Sequence, residues 1–75
     1  MITIYKRTHL RWEGPVSLSY FEFFMDSVSD LPSDVYYFSS ENDKYKIAQG
    51  SLAYDISTSG MYMMDSTGTW VQQGG

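Results

Sequence analysis

The residues that could do chemistry are few. His9 is the single histidine of the 75-residue chain, and histidine is the one side chain whose ordinary pKa lies near neutrality. As the base of a nucleophilic mechanism it would need an activated hydroxyl or thiol beside it, and no serine here sits in a recognisable nucleophile motif. There is no cysteine, which removes thiolate chemistry, thiolate metal sites and disulfides together. Three carboxylates, Asp26, Asp30 and Asp34, recur every four residues, a spacing that would align them on one helix face. Two carboxylates across a cleft are the machinery of glycoside hydrolysis. Pro32 interrupts that window, so the simpler reading is turn caps and solvated loop acids. Asp30, Asp34, Glu41 and Asp43 are hard oxygen ligands of the kind calcium takes, without the spacing of an EF-hand loop. The expectation is a protein with no catalytic residue, no metal and no cofactor, and therefore not an enzyme.

Binding is better supplied. The chain holds 2 Trp, 7 Tyr and 4 Phe, side chains that join an apolar body to a polar tip and serve both cores and contact surfaces. Trp70 is expected to anchor the last hairpin. Trp12, next to Gly14-Pro15, is expected to be open for contact, with Tyr36 and Tyr37 as further candidates for stacking on a sugar or receptor. Met61, Met63 and Met64 suit an adaptable contact surface or core filling.

The elements that must position these residues read as strands. Met1–Leu10 alternates imperfectly, with Ile2 and Ile4 on one face, and Trp12-Glu13-Gly14-Pro15 breaks the run. Lys6 and Arg7 suit an edge, where charge discourages unwanted pairing. In 16–28, Phe21, Phe23 and Met25 share a face at period two, opposite Tyr20, Glu22, Phe24 and Asp26. Helix is the competing assignment, but aromatic content and the lack of Ala, Lys and Gln favour strand. Residues 30–34 form a turn or a single helical turn, 35–38 a short strand, 39–43 a polar loop and 44–48 a further strand. Three strands close the chain, Ser51–Ile56, Met61–Asp65 and Thr69–Gln73, joined by Ser57-Thr58-Ser59-Gly60 and Asp65-Ser66-Thr67-Gly68. In these turns Asp65 should accept backbone N–H groups, and Gly60 and Gly68 should supply positive φ. Met61 and Met63 oppose Tyr62 and Met64, so that strand is apolar on both sides. The predicted fold is all-β, a small antiparallel meander or open barrel of five to seven short strands, in one domain over 1–75.

A chain of this size buries only about 60% of its unfolded surface, and small domains without staples gain stability from partners. Net charge is −4, divided as +3 over 1–12 (Lys6, Arg7, Arg11) and −7 over the rest. An acidic body argues against general nucleic-acid binding. The longest apolar run falls well short of the ~20 residues that span a membrane, and the first residues lack the apolar stretch of a secretory leader.

One stretch carries a resemblance. Gly50-Ser51-x-Ala53-Tyr54-Asp55-x-Ser57-Thr58-x-Gly60-x-Tyr62-x-x-Asp65-x-x-Gly68-x-Trp70-Val71, preceded by Ser27-Val28-Ser29-Asp30-Leu31-Pro32, resembles a module of small structural proteins of tailed bacteriophages. It covers residues 26–73. Residues 33–49 are longer than the family's usual link, and 1–25 have no counterpart. The resemblance implies a virion protein made in the bacterial host cytoplasm. Small size, aromatic richness and the lack of catalytic groups add the expectation that it attaches to capsid, neck or tail proteins, and the strand apolar on both sides that it does so as a homo-oligomer. Two other expectations stand beside it: a glycan- or receptor-binding module using Trp12, Tyr36 and Tyr37, and a small phage inhibitor of a host protein. The basic arm 1–12 is expected to extend as an edge strand onto a neighbour, with Ile2 and Ile4 as anchors and Lys6, Arg7 and Arg11 setting register.

Overall fold

The computed structural model describes residues 1–38 and 44–74. Within them lie seven strands, β1 (Ile2–Glu13), β2 (Val16–Met25), β3 (Tyr36–Phe38), β4 (Lys44–Ile47), β5 (Leu52–Asp55), β6 (Gly60–Met64) and β7 (Trp70–Gln73), and one 3-10 turn, Val28–Asp30. The fold is all-β, an open sheet that ends in a meander. The expected polar loop at 39–43, with Glu41 and Asp43, lies outside the described residues.

The first two strands form a long antiparallel hairpin in which Ile2 faces Met25 and Glu13 faces Val16. Its two-residue loop has Gly14 at φ +64° followed by Pro15, whose ring fixes a negative φ. That sign pattern belongs to the type II′ turn, whose twist matches the flanking strands. Trp12 therefore sits in the strand, not in a connection. The arm pairs along its whole length with its own β2, so it does not extend away from the body as expected. Register shifts between Ile4 and Lys6 and between His9 and Arg11 leave Tyr5 and Leu10 as bulges.

The other edge of β2 is shared. β4 runs parallel to it at Ser17–Ser19 and β5 runs parallel to it at Glu22–Met25. β4 and β5 thus act as one strand interrupted by Ala48–Ser51, where Gly50 takes φ +88°. The interruption would leave the Phe21 amide unpaired; it donates instead to the buried Ser51 Oγ at 3.0 Å. From this point the sheet forks. β3 pairs antiparallel with β4, while β5, β6 and β7 form the antiparallel meander. The turn after β6 closes back toward the other branch, with Gly68 against Val35.

The core lies on the inner face of this curl. Phe21, Phe23, Met25, Ile47, Ala53 and Met64 are buried there, with Ile2, Ile4, Tyr37 and Trp70 among the residues packed on them. Phe21 and Phe23 stack at 4.9 Å, and Trp70 meets Phe23 edge-on at 6.3 Å. The Trp70 Nε1–H is buried with no hydrogen-bond partner among the described residues.

The two meander turns share one chemistry. Asp55 Oδ1 accepts from the Ser57 N–H (2.9 Å) and hydroxyl (2.7 Å), and its Oδ2 accepts from the Thr58 hydroxyl (3.0 Å). Asp65 Oδ1 accepts from the Thr67 N–H and hydroxyl and from the Thr69 N–H, at 2.7–3.0 Å. Gly68 has φ +85°, as expected; Gly60 does not have positive φ, and the left-handed residue of the first turn is Ser59 at +59°. Gly60 already belongs to β6, and its expected turn role passes one residue upstream. Serine tolerates this because the turn's bonds to Asp55 and the Gly60 N–H→Thr58 Oγ1 bond at 3.2 Å hold the backbone there.

Candidate binding surfaces

Alternation along β2 divides the sheet into two faces, and each offers a surface. On the outer face, two rows cross the strands by register. One runs Phe24–Tyr54–Met61, the other Glu22–Leu52–Met63–Val71. The first row is extended by the bulged Tyr5, whose ring meets Phe24 edge-on at 5.1 Å, while Phe24 meets Tyr54 at 5.9 Å. Tyr5, Phe24, Leu52, Tyr54 and Met61 line a shallow apolar groove of about 160 Å³, and Met63 and Val71 continue the second row by register. Tyr5, Phe24, Met63 and Val71 are exposed. No described segment of the chain covers this groove. The apolar character of both faces of β6 is thus real: Tyr62 and Met64 point to the core, Met61 and Met63 outward.

On the inner face, the end of the hairpin away from the core is polar. There β1 contributes Arg7, His9 and Trp12, β2 contributes Ser17 and Ser19, and β4 contributes Tyr45. Ser17 and Ser19 are buried, and a buried hydroxyl needs a partner. They find one in a chain: Arg7 Nη1 donates to Ser19 Oγ at 3.1 Å, Ser19 and Ser17 hydroxyls are 2.8 Å apart, and Ser17 Oγ lies 2.6 Å from His9 Nδ1. The Arg7 Cζ lies 4.5 Å from the centre of the Tyr45 ring. The His9 and Trp12 rings are 5.0 Å apart, and Trp12 is 67% exposed. Arg7, His9, Trp12, Ser17 and Tyr45, together with Pro15 and Lys44, line a cleft of about 260 Å³.

A serine 2.6 Å from a histidine invites a hydrolytic reading. The described geometry gives it little support: Ser17 is 3% exposed, and among the described residues no carboxylate hydrogen-bonds the imidazole to orient it. What the cleft can do is hold a charge, since among the described residues Arg7 spends one of its five N–H donors, on Ser19 Oγ.

The expected contact residues fall into different places. Ile2, Ile4 and Tyr37 pack on the core, so they are not free anchors or stacking platforms. Tyr36 lies on the outer face by register with Lys46 and Leu18, and Lys44 Nζ sits 4.6 Å over its ring. Trp12 is on the inner face, opposite Ser17. Trp12, Tyr36 and Tyr37 therefore do not form one platform. Lys6 faces Glu22 across the hairpin. Arg11 and Lys46 both bind Glu13, at 3.0 and 3.1 Å, which holds its carboxyl below the usual range, Lys46 contributing more than Arg11. Among the described residues no group of three His, Asp or Glu side chains could hold a metal ion.

Sequence reasoning weighed His9 for catalysis and named Arg7, Trp12 and the methionines for contact, but passed over Ser17, Ser19, Tyr45, Tyr5 and Tyr54. The signal available for the serines was their place at period two before Phe21 and Phe23, which puts them on the core face. Comparison of the chain with protein-family models, with curated proteins and with solved structures returns no match.

Proposed function

We propose that the protein is a non-enzymatic attachment protein of a tailed-phage virion that docks on capsid, neck or tail proteins through the outer face of its sheet, as a homo-oligomer. One observation carries the attachment reading: no described segment of the chain covers the apolar rows of Phe24, Tyr54, Met61 and Leu52, Met63, Val71, extended by Tyr5. Contiguous apolar surface on a small domain marks a contact site, and methionines let such a site adapt to its partner. The virion setting rests on the resemblance of residues 26–73 to phage structural proteins. The outer face suits docking better than the free edge of β1. That edge carries Lys6, Arg7 and Arg11 and two bulges, the devices by which sheets discourage strand addition.

Mass spectrometry of purified virions from a host carrying the gene, with crosslinking, tests the setting. Crosslinks from the outer face to a capsid, neck or tail protein are expected. Virions free of the protein, assembled in cells that contain it, would overturn the virion assignment.

A further inference from the structure

The cleft at the polar end of the inner face has features that attachment through the outer face does not use. Arg7 is a cation without a carboxylate partner among the described residues, in a chain with nine acids and net charge −4. Its basic neighbours Arg11 and Lys46 are, by contrast, both taken by Glu13. Arg7 is instead fixed by neutral groups, the Ser19 hydroxyl on one nitrogen and the Tyr45 ring against its Cζ. Ser19 is in turn held by Ser17, and Ser17 by His9. A guanidinium already ordered in this way loses little freedom when it takes an anion, and its remaining N–H groups match the two oxygens of a carboxylate or phosphate. Trp12 stands at the same cleft, against His9 on one side and 67% exposed. At about 260 Å³ the cleft is smaller than drug-sized pockets, which suits a single ring.

We propose that this cleft binds an acidic sugar: a saturated ring stacked on Trp12, carrying a carboxylate or phosphate group that is held by Arg7. Both groups present the same oxyanion to the guanidinium, and the choice between them is left to the probes. The site lies on the face opposite the apolar rows, so its failure would leave the attachment reading standing, and the reverse.

The test is a titration of the full chain, followed by the indole N–H signals of Trp12 and Trp70 and the backbone amides of β1 and β4. The probes are sodium glucuronate, glucose 6-phosphate, glucose and sodium acetate. Glucuronate, glucose 6-phosphate or both should shift the Trp12 indole and the Arg7 and Tyr45 amides, with dissociation constants of order 1 mM, and glucose and acetate should bind about tenfold or more weakly. Which acid binds tells a carboxylated from a phosphorylated ligand. Added salt should weaken binding, because the contact is charged and partly exposed. Arg7→Gln and Trp12→Ala should each lower affinity about tenfold, and Trp70 should not respond in any titration. Both substituted residues are solvent-exposed; Arg7→Lys, which keeps the charge but not the fork of donors, serves as a second variant if Arg7→Gln fails to fold. No shift with either acid overturns the proposal. So does equal binding of glucose, which would remove the role of Arg7, or equal binding of acetate, which would remove that of Trp12.

Discussion

At the scale of single residues, the two meander turns make opposite predictions for glycines that look alike in sequence. A Cβ on Gly68 would sit 2.5 Å from Val35 Cγ1, on a backbone at φ +85°. Gly68→Ala should therefore cost roughly 1–3 kcal/mol, from left-handed strain plus a displaced neighbour. At Gly60 the nearest atom is the Thr58 hydroxyl at 3.1 Å and φ is not positive. Gly60→Ala should cost less than about 1 kcal/mol, an ordinary small repacking. Urea denaturation of both variants checks the order, and equal midpoints would refute the turn assignment. The aspartates that close these turns predict a pH response. The Ser57 hydroxyl and then the Thr58 hydroxyl hold the Asp55 carboxyl below its ordinary 3.8, against the opposing effect of burial. The Thr67 hydroxyl and then the Thr69 N–H do the same for Asp65. A carboxyl with a depressed folded-state pKa stabilises the fold fully above its unfolded value, and the contribution is lost as pH falls through the folded value. The melting temperature should thus fall as pH drops below about 4, with no matching loss toward neutrality from these groups. Asp55→Asn should flatten part of that acid slope. An unchanged slope would mean the carboxylate does not act as charged acceptor in the turn.

At the scale of elements, the arm and the last strand are decisive. Ile2 and Ile4 pack on the core and β1 pairs with β2 throughout. Deleting residues 1–7 should therefore abolish the β signal in circular dichroism at low concentration; a truncated chain that keeps its spectrum would show that the hairpin is dispensable. Trp70→Ala should cost about 3 kcal/mol, the low end for buried tryptophan because Trp70 is only partly buried. Trp70→Phe should come close to neutral in chemical denaturation, since it also removes the unpaired indole N–H. A loss as large as that of the alanine variant would count against this account of the indole. Much of this arrangement was legible in sequence. Period two at Phe21, Phe23 and Met25 identified the core face of β2, and Asp-Ser-Thr-Gly identified the last turn. Other parts had no local signal. Two parallel pairings on one edge of β2 depend on contacts distant in sequence, and parallel neighbours usually come with a helical crossover that this chain lacks among its described residues. In β5 the sequence separates Leu52 and Tyr54 from Ala53 and Asp55, but not which pair faces inward. The small and charged pair does: Phe21 and Phe23 of β2 share the core with Ala53, and Asp55 takes its partners from its own turn. The polar cleft was equally hidden, because register joins Arg7, His9 and Trp12 to Ser17, Ser19 and Tyr45 only after two bulges have reset the alternation of β1.

At the scale of the whole molecule, one sheet has its core on one side and, on the other, an apolar groove that no described segment covers. Removing apolar surface from water is worth roughly 25 cal/mol per Å², so a partner on this face would add materially to a core that is marginal at this chain length. If copies of the chain associate here, sedimentation should show a dimer or larger species at about tens of micromolar, a concentration matched to associations of modest stability. Met61→Lys with Met63→Glu tests the face directly. Both side chains point outward from β6, away from the buried Met64 and the half-buried Tyr62, so the double variant should keep its circular dichroism spectrum and lose association. Charges of opposite sign keep the net charge at −4, which separates loss of the apolar surface from a general change in repulsion. Trp12→Ala, on the opposite face, should leave association unchanged. Equal association of parent and double variant would move the contact to another surface. A parent that stays monomeric throughout, with the double variant still joining virions as efficiently, would leave the outer face without a role in attachment.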